Sequence, residues 1–108
     1  MSPEIKVLQP TGILDSMGGS QLRQDVNDAV DQGALIILID CKAIAFMDSS
    51  GLGTLVIALK KIREINGRFA LCSINDQVKM LLNLTNMDSI FEIYTSQDEF
   101  RQAVLMPQ

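Results

Sequence analysis

The residues best suited to chemistry lie together at positions 48–53, Asp-Ser-Ser-Gly-Leu-Gly. An apolar pattern of helical spacing starts here, so the two hydroxyls fall in the first turn of a predicted helix. That turn has N–H groups without intrahelical partners and carries about half a positive charge. Asp48 or Ser49 can cap it, and capping alone is one sufficient explanation for the three polar residues.

The two glycines of this segment favour a second explanation. Gly51 and Gly53 each cost about 1 kcal/mol relative to alanine inside a helix. Close packing of the helix on a sheet accounts for one of them, and the approach of a bulky partner to the backbone accounts for the other. A phosphate on a serine would be well placed here, because helix N-termini attract anions. The segment therefore predicts either a simple cap or a modified, partner-binding serine.

The absence of histidine from the chain restricts the possible enzymes. Ser-His-Asp and Cys-His catalysis are excluded, and zinc and iron sites are disfavoured. A nucleophilic serine would need a lysine base instead, and none of the lysines stands at a recognised spacing from the serines. The lysines considered are Lys42, Lys60, Lys61 and Lys79. We therefore expect no enzymatic activity.

Two phosphate-related alternatives are also disfavoured. A phosphoaspartate receiver could use Asp40 at the end of a buried strand, but it needs a pair of acidic residues after the first strand to hold magnesium, and Asp15 is the only acid near the end of that first strand. A nucleotide site is unsupported because Gly-Leu-Gly lacks the phosphate-binding lysine and the dinucleotide fingerprint. We expect no cofactor and no metal.

Composition limits the partners and the compartment. The 108 residues suit a single domain, 1–108, and the net charge of −4 disfavours nucleic acid, whose binding needs a basic patch. The longest apolar run, residues 34–39, is far too short for a membrane span, and residues 1–10 do not resemble a signal peptide. Two cysteines, Cys41 and Cys72, indicate buried reduced thiols. We expect a cytoplasmic protein.

The hydrophobic pattern predicts alternating strands and helices. The predicted strands are residues 4–9, 11–14, 35–39, 69–72 and a short one near 90–94. The predicted helices are one between the cap Ser20 and the stop Gly33, then residues 49–66, 76–84 and one from 96. Residues 16–20 are interpreted as a loop and residues 41–46 as a connection. This order predicts an α/β fold with a small mixed, mainly parallel sheet of four to five strands and about four packed helices. The first two strands could form an antiparallel pair.

Residues 48–53 resemble the signature of the STAS domain, the family of bacterial anti-sigma factor antagonists. Gly-Ile-Leu-Asp at 12–15 is similar to the family's Gly-x-Leu-Asp turn, and the buried strand ending at Asp40 precedes the serines as it does in the family. Residues 78–82, followed by Phe91 and Ile93, resemble the C-terminal pattern, and Glu99 with Phe100 suits the last helix. The resemblance covers essentially the whole chain.

The resemblance implies a phosphorylation switch. In this family the second serine of the motif, here Ser50, is the phosphoacceptor. The domain is a substrate of a serine kinase that is also the anti-sigma factor, and of a metal-dependent serine phosphatase. Unphosphorylated, such a domain binds the kinase and frees the sigma factor; phosphorylated, it is released. The alternative is an interaction module in another partner-switching or transporter-associated complex that does not act on a sigma factor.

The resemblance also assigns roles around the serine. Asp48 would be both the helix cap and a carboxylate facing the incoming phosphoryl group. The expected contact surface consists of Asp15, Met47, Ser49, Gly51 and Gly53. We expect a monomer that binds neither nucleic acid nor membrane.

Overall fold

The computed structural model describes residues 4–105, which form six strands and four α-helices. The strands are β1 (Lys6–Leu8), β2 (Gly12–Leu14), β3 (Ile36–Asp40), β4 (Ile44–Met47), β5 (Arg68–Cys72) and β6 (Glu92–Tyr94). The helices are α1 (Ser16–Asp31), α2 (Ser49–Glu64), α3 (Asp76–Leu84) and α4 (Gln97–Leu105), with a 3₁₀ turn at Met87–Ser89.

The strands form two separate parallel sheets. The larger sheet has the order β1-β3-β5-β6, and β2 pairs with β4 in a sheet of two strands. The antiparallel opening pair that the sequence allowed is not formed, because β1 pairs with β3 and β2 with β4, both in parallel. The predicted α/β class, with a mainly parallel sheet and four helices, is confirmed.

Two apolar layers hold the helices on the larger sheet. β3 is apolar at consecutive positions, so it contributes Ile37 and Ile39 to one core and Leu38 to the other. The first core also contains the buried stripes of α1, α2 and α3, and the second contains Phe100 and Val104 of α4. The three helices that connect the strands therefore lie on one face of the sheet, as right-handed crossovers in a single direction predict, and α4 covers the other face.

Helix α1 begins at Ser16, so the predicted loop at 16–20 is wrong. Asp15 caps the helix by accepting a hydrogen bond from Gly18 N at 2.9 Å. The glycines that suggested a loop are required by packing. A Cβ on Gly18 would lie 2.7 Å from Ile13 O, and one on Gly19 would lie 2.5 Å from Thr54 Oγ1 in α2.

Strand β4 lies where the sequence predicted only a connection. Its four residues are all apolar and do not alternate between buried and exposed, and its partner β2 has only three residues. The pairing also joins segments about thirty residues apart, which no local pattern reveals. This missed strand carries the residues that lead directly into α2.

Candidate functional site

Two helix starts of the same construction lie next to each other. Leu14 at the end of β2 pairs in register with Met47 at the end of β4. Helices α1 and α2 start just after these two residues, so their N-termini are neighbours. Each strand is followed by the sequence Asp-Ser-x-Gly, at 15–18 and 48–51. In both, the aspartate Oδ1 accepts a hydrogen bond of 2.9 Å from the glycine N–H three residues on. The site is therefore bordered by two neighbouring helix N-termini.

The cap at Asp48 fixes the position of the two hydroxyls. Its N–H donates to Leu14 O at 3.2 Å, and its side chain accepts from Gly51 N. Ser49 and Ser50 are consequently the first two residues of α2, and both are exposed. Helix geometry gives their N–H groups no intrahelical acceptor, so these amides are open to an anion.

The two glycines of α2 have different surroundings. Gly51 is buried, and a Cβ there would lie 2.0 Å from Leu14 O, so close packing on β2 requires glycine. A Cβ added to Gly53 would meet nothing within 4 Å, so packing places no demand on that position. The sequence interpretation that packing explains one glycine is therefore confirmed, and Gly53 is the one left for another role.

The residues expected on the contact surface divide into exposed and interior groups. Ser49 is exposed, while Asp15 and Gly53 are partly exposed. Met47 and Gly51 are buried, so their side-chain positions face the core. Phe46 is exposed and Met47 is buried, so these two successive residues lie on opposite faces of β4. Met47 and Gly51 can support the site only from beneath.

Exposed apolar side chains flank the serines and were missed by sequence reasoning. Ile13 of β2 and Phe46 of β4 are register partners and are 58% and 48% exposed. Met17, in the first turn of α1, is 82% exposed. Strand alternation alone would not have assigned Phe46 to the outer face, because Ile44 is buried two residues earlier and the register shifts between them. Apolar residues exposed together at one end of a domain are typical of a partner-binding surface.

Amide side chains from α3 and its cap hold the edge of β4 that faces away from β2. Gln77 Oε1 accepts from Met47 N and Gln77 Nε2 donates to Met47 O, both at 2.8 Å. Asn75 Nδ2 donates to Ile44 O at 3.0 Å and to Ala45 O at 3.3 Å. The contacts join residues about thirty positions apart, and no motif in the sequence signals them.

Asp40 is a structural group and not an exposed acid. It is 4% exposed, and its carboxylate accepts hydrogen bonds from Gln9 Nε2, Gln97 Nε2 and Lys42 N at 2.7–3.0 Å. Burial raises its pKa, but these hydrogen bonds outweigh burial and bring the pKa of Asp40 below its ordinary value. A phosphoaspartate receiver needs an accessible carboxylate, so the geometry disfavours that alternative.

Other features lie outside this site. Cys41 and Cys72 are buried as predicted, and burial raises the pKa of the Cys41 thiol to about 12. A cavity of about 340 Å³ lies where the C-terminal end of α1 meets β1 and β3, and is lined by Glu4, Lys6, Ala29, Gln32, Gly33, Ala34, Leu35 and Ile36.

Within residues 4–105 we find no group of three or more side chains suited to hold a metal ion. No helix in that range has the length and apolar content to cross a membrane.

A comparison with known protein families assigns the chain to a family. The family model described as the STAS domain matches residues 1–100. The chain belongs to the STAS domain family. The α/β fold with four helices and a mainly parallel sheet is therefore the fold of a STAS domain.

Curated relatives of this STAS domain are named anti-sigma factor antagonists. A Thermotoga maritima protein that carries this name provisionally is 31% identical over 102 residues, which cover 94% of this chain and 90% of the relative. The anti-sigma F factor antagonist of Paenibacillus polymyxa is 29% identical over 94 residues, covering 86% and 80%.

Solved structures show the same fold. The crystal structure of the Thermotoga maritima protein has a TM-score of 0.86 at 32% identity and covers 93% of this chain and 86% of its own. The Bacillus cell fate determinant SpoIIAA, at 22% identity, has been solved in an unphosphorylated form with a TM-score of 0.80 and in a phosphorylated form with a TM-score of 0.73. The two SpoIIAA structures cover 96% of this chain, and 90% and 94% of their own chains.

Proposed function

We propose that this STAS domain is an anti-sigma factor antagonist controlled by phosphorylation of Ser50. The observation that carries the proposal is the exposed Ser50 hydroxyl in the first turn of α2, with Gly53 one turn further along the same helix and under no packing constraint. The names of the relatives and the phosphorylated form of SpoIIAA support the same role.

In the unphosphorylated state the domain binds a serine kinase that is also the anti-sigma factor, and so frees the sigma factor. The contact surface consists of Ser49, Ser50 and Gly53 with their exposed apolar neighbours Ile13 and Phe46. Glycine at position 53 lets the backbone of a partner approach α2 closely. Apolar area beside the hydroxyl supplies affinity, and the helix start supplies the polar contacts.

Phosphorylation changes the surface without disturbing the fold. Ser50 Oγ attacks the γ-phosphorus of ATP on the kinase, the bond from that phosphorus to the β–γ bridging oxygen breaks, and ADP leaves; a base on the kinase takes the hydroxyl proton. The phosphate then lies at the positive end of α2, beside the amides of Ser49 and Ser50. It adds about two negative charges, which conflict sterically and electrostatically with the docked kinase. A metal-dependent serine phosphatase restores the binding state.

Two neighbouring carboxylates take part in this proposal. Asp48 remains the cap of α2, since its Oδ1 already accepts from Gly51 N. Its carboxylate also faces the incoming phosphoryl group and helps to orient the hydroxyl. Asp15, at the start of α1, borders the same surface and is partly exposed.

The decisive experiment measures phosphate incorporation by the cognate kinase. The kinase is identified by pull-down from the host lysate with the wild type and with Ser50→Asp, followed by mass spectrometry. Ser50→Ala should abolish incorporation, while Ser49→Ala should retain much of it. Ser16→Ala is the matched control, because Ser16 has the same place in α1 that Ser49 has in α2. Equal loss in Ser49→Ala would mean that the acceptor is assigned to the wrong hydroxyl.

The proposal includes a cytoplasmic monomer as the active species. A sigma factor and its kinase act in that compartment, and the exposed site needs no second copy of the chain. Light scattering during size-exclusion chromatography, with and without the purified kinase, tests the monomeric state directly.

A further inference from the structure

The junction between β4 and α2 is held from both sides. On one side, Asp48 N–H donates to Leu14 O of β2 at 3.2 Å. On the other side, Gln77 makes its two 2.8 Å hydrogen bonds with the N–H and the carbonyl of Met47. The amide of Gln77 thus occupies the place that a further strand would take. Met47 is bonded covalently to Asp48, so both contacts fix the residue that caps α2.

Gln77 is itself held rigidly by α3. Asn75 caps this helix by accepting from Val78 N at 2.9 Å, and its amide donates to two carbonyls of β4. Val78 and Leu82 anchor the helix in the core, where both are fully buried. Gln77 lies next to the first of these anchors and is only partly exposed. Its side chain therefore transmits the position of α3 to the start of α2.

We propose that Gln77 is a positioning residue for the phosphoacceptor hydroxyl of Ser50. This inference rests on the proposed function. Without Gln77, Met47 loses both hydrogen-bond partners at this edge of β4, and the hydrogen bond from Asp48 N–H to Leu14 O is the main-chain contact left at the β4–α2 junction. Phosphoryl transfer depends on the alignment of the hydroxyl, whereas docking depends mainly on the exposed surface, which the substitution leaves in place. The loss of Gln77 should therefore lower kcat and change KM little.

The test compares Gln77→Ala with Gln97→Ala as substrates of the kinase. Each variant loses one partly buried glutamine amide, and Gln97 bonds to Asp40, outside the β4–α2 junction. Gln77→Ala should lower kcat by about tenfold while KM stays within about twofold. Gln97→Ala should leave both values within about twofold of the wild type. An equal fall in kcat for both variants would show a general stability effect and overturn the positioning role.

Gln77→Glu tests the same contact without the kinase. At neutral pH the carboxylate still accepts from Met47 N, but it places a second acceptor against Met47 O in place of the donor. The variant should unfold more easily than the wild type at pH 7. The pKa of the introduced carboxyl group should be raised in the folded state, so the difference in free energy of unfolding should shrink as the pH falls below about 5 and the carboxylic acid donates to Met47 O. A difference that does not change with pH would contradict the contact.

The outcomes separate this inference from the proposed function. If the kinase does not phosphorylate Ser50 in the wild type, the proposed function itself fails. If the wild type is phosphorylated and Gln77→Ala has the same kcat, only the positioning role fails. A selective fall in kcat for Gln77→Ala, with Gln97→Ala unaffected, supports the positioning role.

Discussion

Gly51 and Gly53 lie two residues apart in one helix and have opposite relations to their surroundings. Gly51 permits α2 to touch the backbone of β2, and any side chain would collide with Leu14 O. A side chain at Gly53 would meet nothing within 4 Å, and yet glycine there weakens the helix. A residue that lowers stability without a packing reason is typical of a functional surface.

This difference predicts opposite effects of the same substitution. Gly51→Ala should lower the free energy of unfolding by about 1–3 kcal/mol, because an added methyl group must push α2 away from β2. Gly53→Ala should raise it by up to about 1 kcal/mol, because alanine favours the helix and has room. Chemical denaturation of the two variants beside the wild type measures both effects. Destabilisation by Gly53→Ala would show that its surface is more crowded than the structure indicates.

A negative charge at position 50 should favour the folded state, and a positive charge there should disfavour it. Ser50→Asp places an anion at the positive end of α2 and should keep or raise the thermal midpoint, while Ser50→Lys should lower stability by about 0.3–1 kcal/mol. Calorimetry at low salt gives the comparison. Ser50→Asp should also weaken kinase binding, measured by titration calorimetry; unaltered affinity would argue against the proposed switch.

At the scale of elements, the two glycines near the start of α1 concealed a helix start in the sequence. Residues 16–20 contain two glycines, which favour a loop, although Asp-Ser-x-Gly at 15–18 repeats the motif at 48–51 that correctly predicts a helix start. The glycines there serve packing against β2 and α2 and not chain reversal. A comparison of the two motifs would have placed the helix start at Ser16.

Substitution of the two cap residues tests whether α1 begins at Ser16 and α2 at Ser49. Asp15→Ala and Asp48→Ala should each lower the free energy of unfolding by about 1 kcal/mol, while Asp15→Asn should be nearly neutral, because asparagine caps as well as aspartate. Equilibrium denaturation provides the values. If Asp15→Ala left stability unchanged, α1 would begin later than the structure shows.

The long elements were predictable and the short ones were not. β3 is a continuous apolar run and α2 has a strong helical period, and their predicted bounds differ from the observed ones by at most two residues. β4 has four residues and depends on a distant partner, so its existence is a tertiary effect. The place of the serines at a helix start is a local feature, so the sequence could predict it. The contact of Gln77 with Met47 joins distant parts of the chain, so the sequence could not.

At the scale of the whole molecule, Asp40 connects three parts of the chain. It ends β3, one of the two inner strands of the larger sheet, and accepts hydrogen bonds from Gln9, which follows β1, and from Gln97, at the start of α4. Alternation of strands and helices predicted the α/β class, and the family resemblance predicted the site. Neither predicted this connection, nor the division into a sheet of four strands and a sheet of two.

Asp40 should make stability depend on acidic pH. Its pKa is lowered in the folded state, so its contribution is complete above the unfolded value of about 4 and is lost as the pH falls through the folded value. Asp40→Asn should therefore lower the free energy of unfolding by about 1–3 kcal/mol at pH 7, and the difference from the wild type should shrink steadily as the pH falls below about 4. Urea unfolding across this range measures it, with the exposed Asp98→Asn as control. A constant difference would argue against a lowered pKa.

The amides that line β4 also restrict how another protein can bind. Many recognition domains capture an extended peptide by β-augmentation, which needs a row of unsatisfied main-chain groups at a sheet margin. Along β4 those groups at Ile44, Ala45 and Met47 are already bonded to Asn75 and Gln77. A peptide cannot pair with this edge of β4 without first displacing the side chains of Asn75 and Gln77. A partner protein must therefore bind here through exposed side chains and the turn that carries the serines.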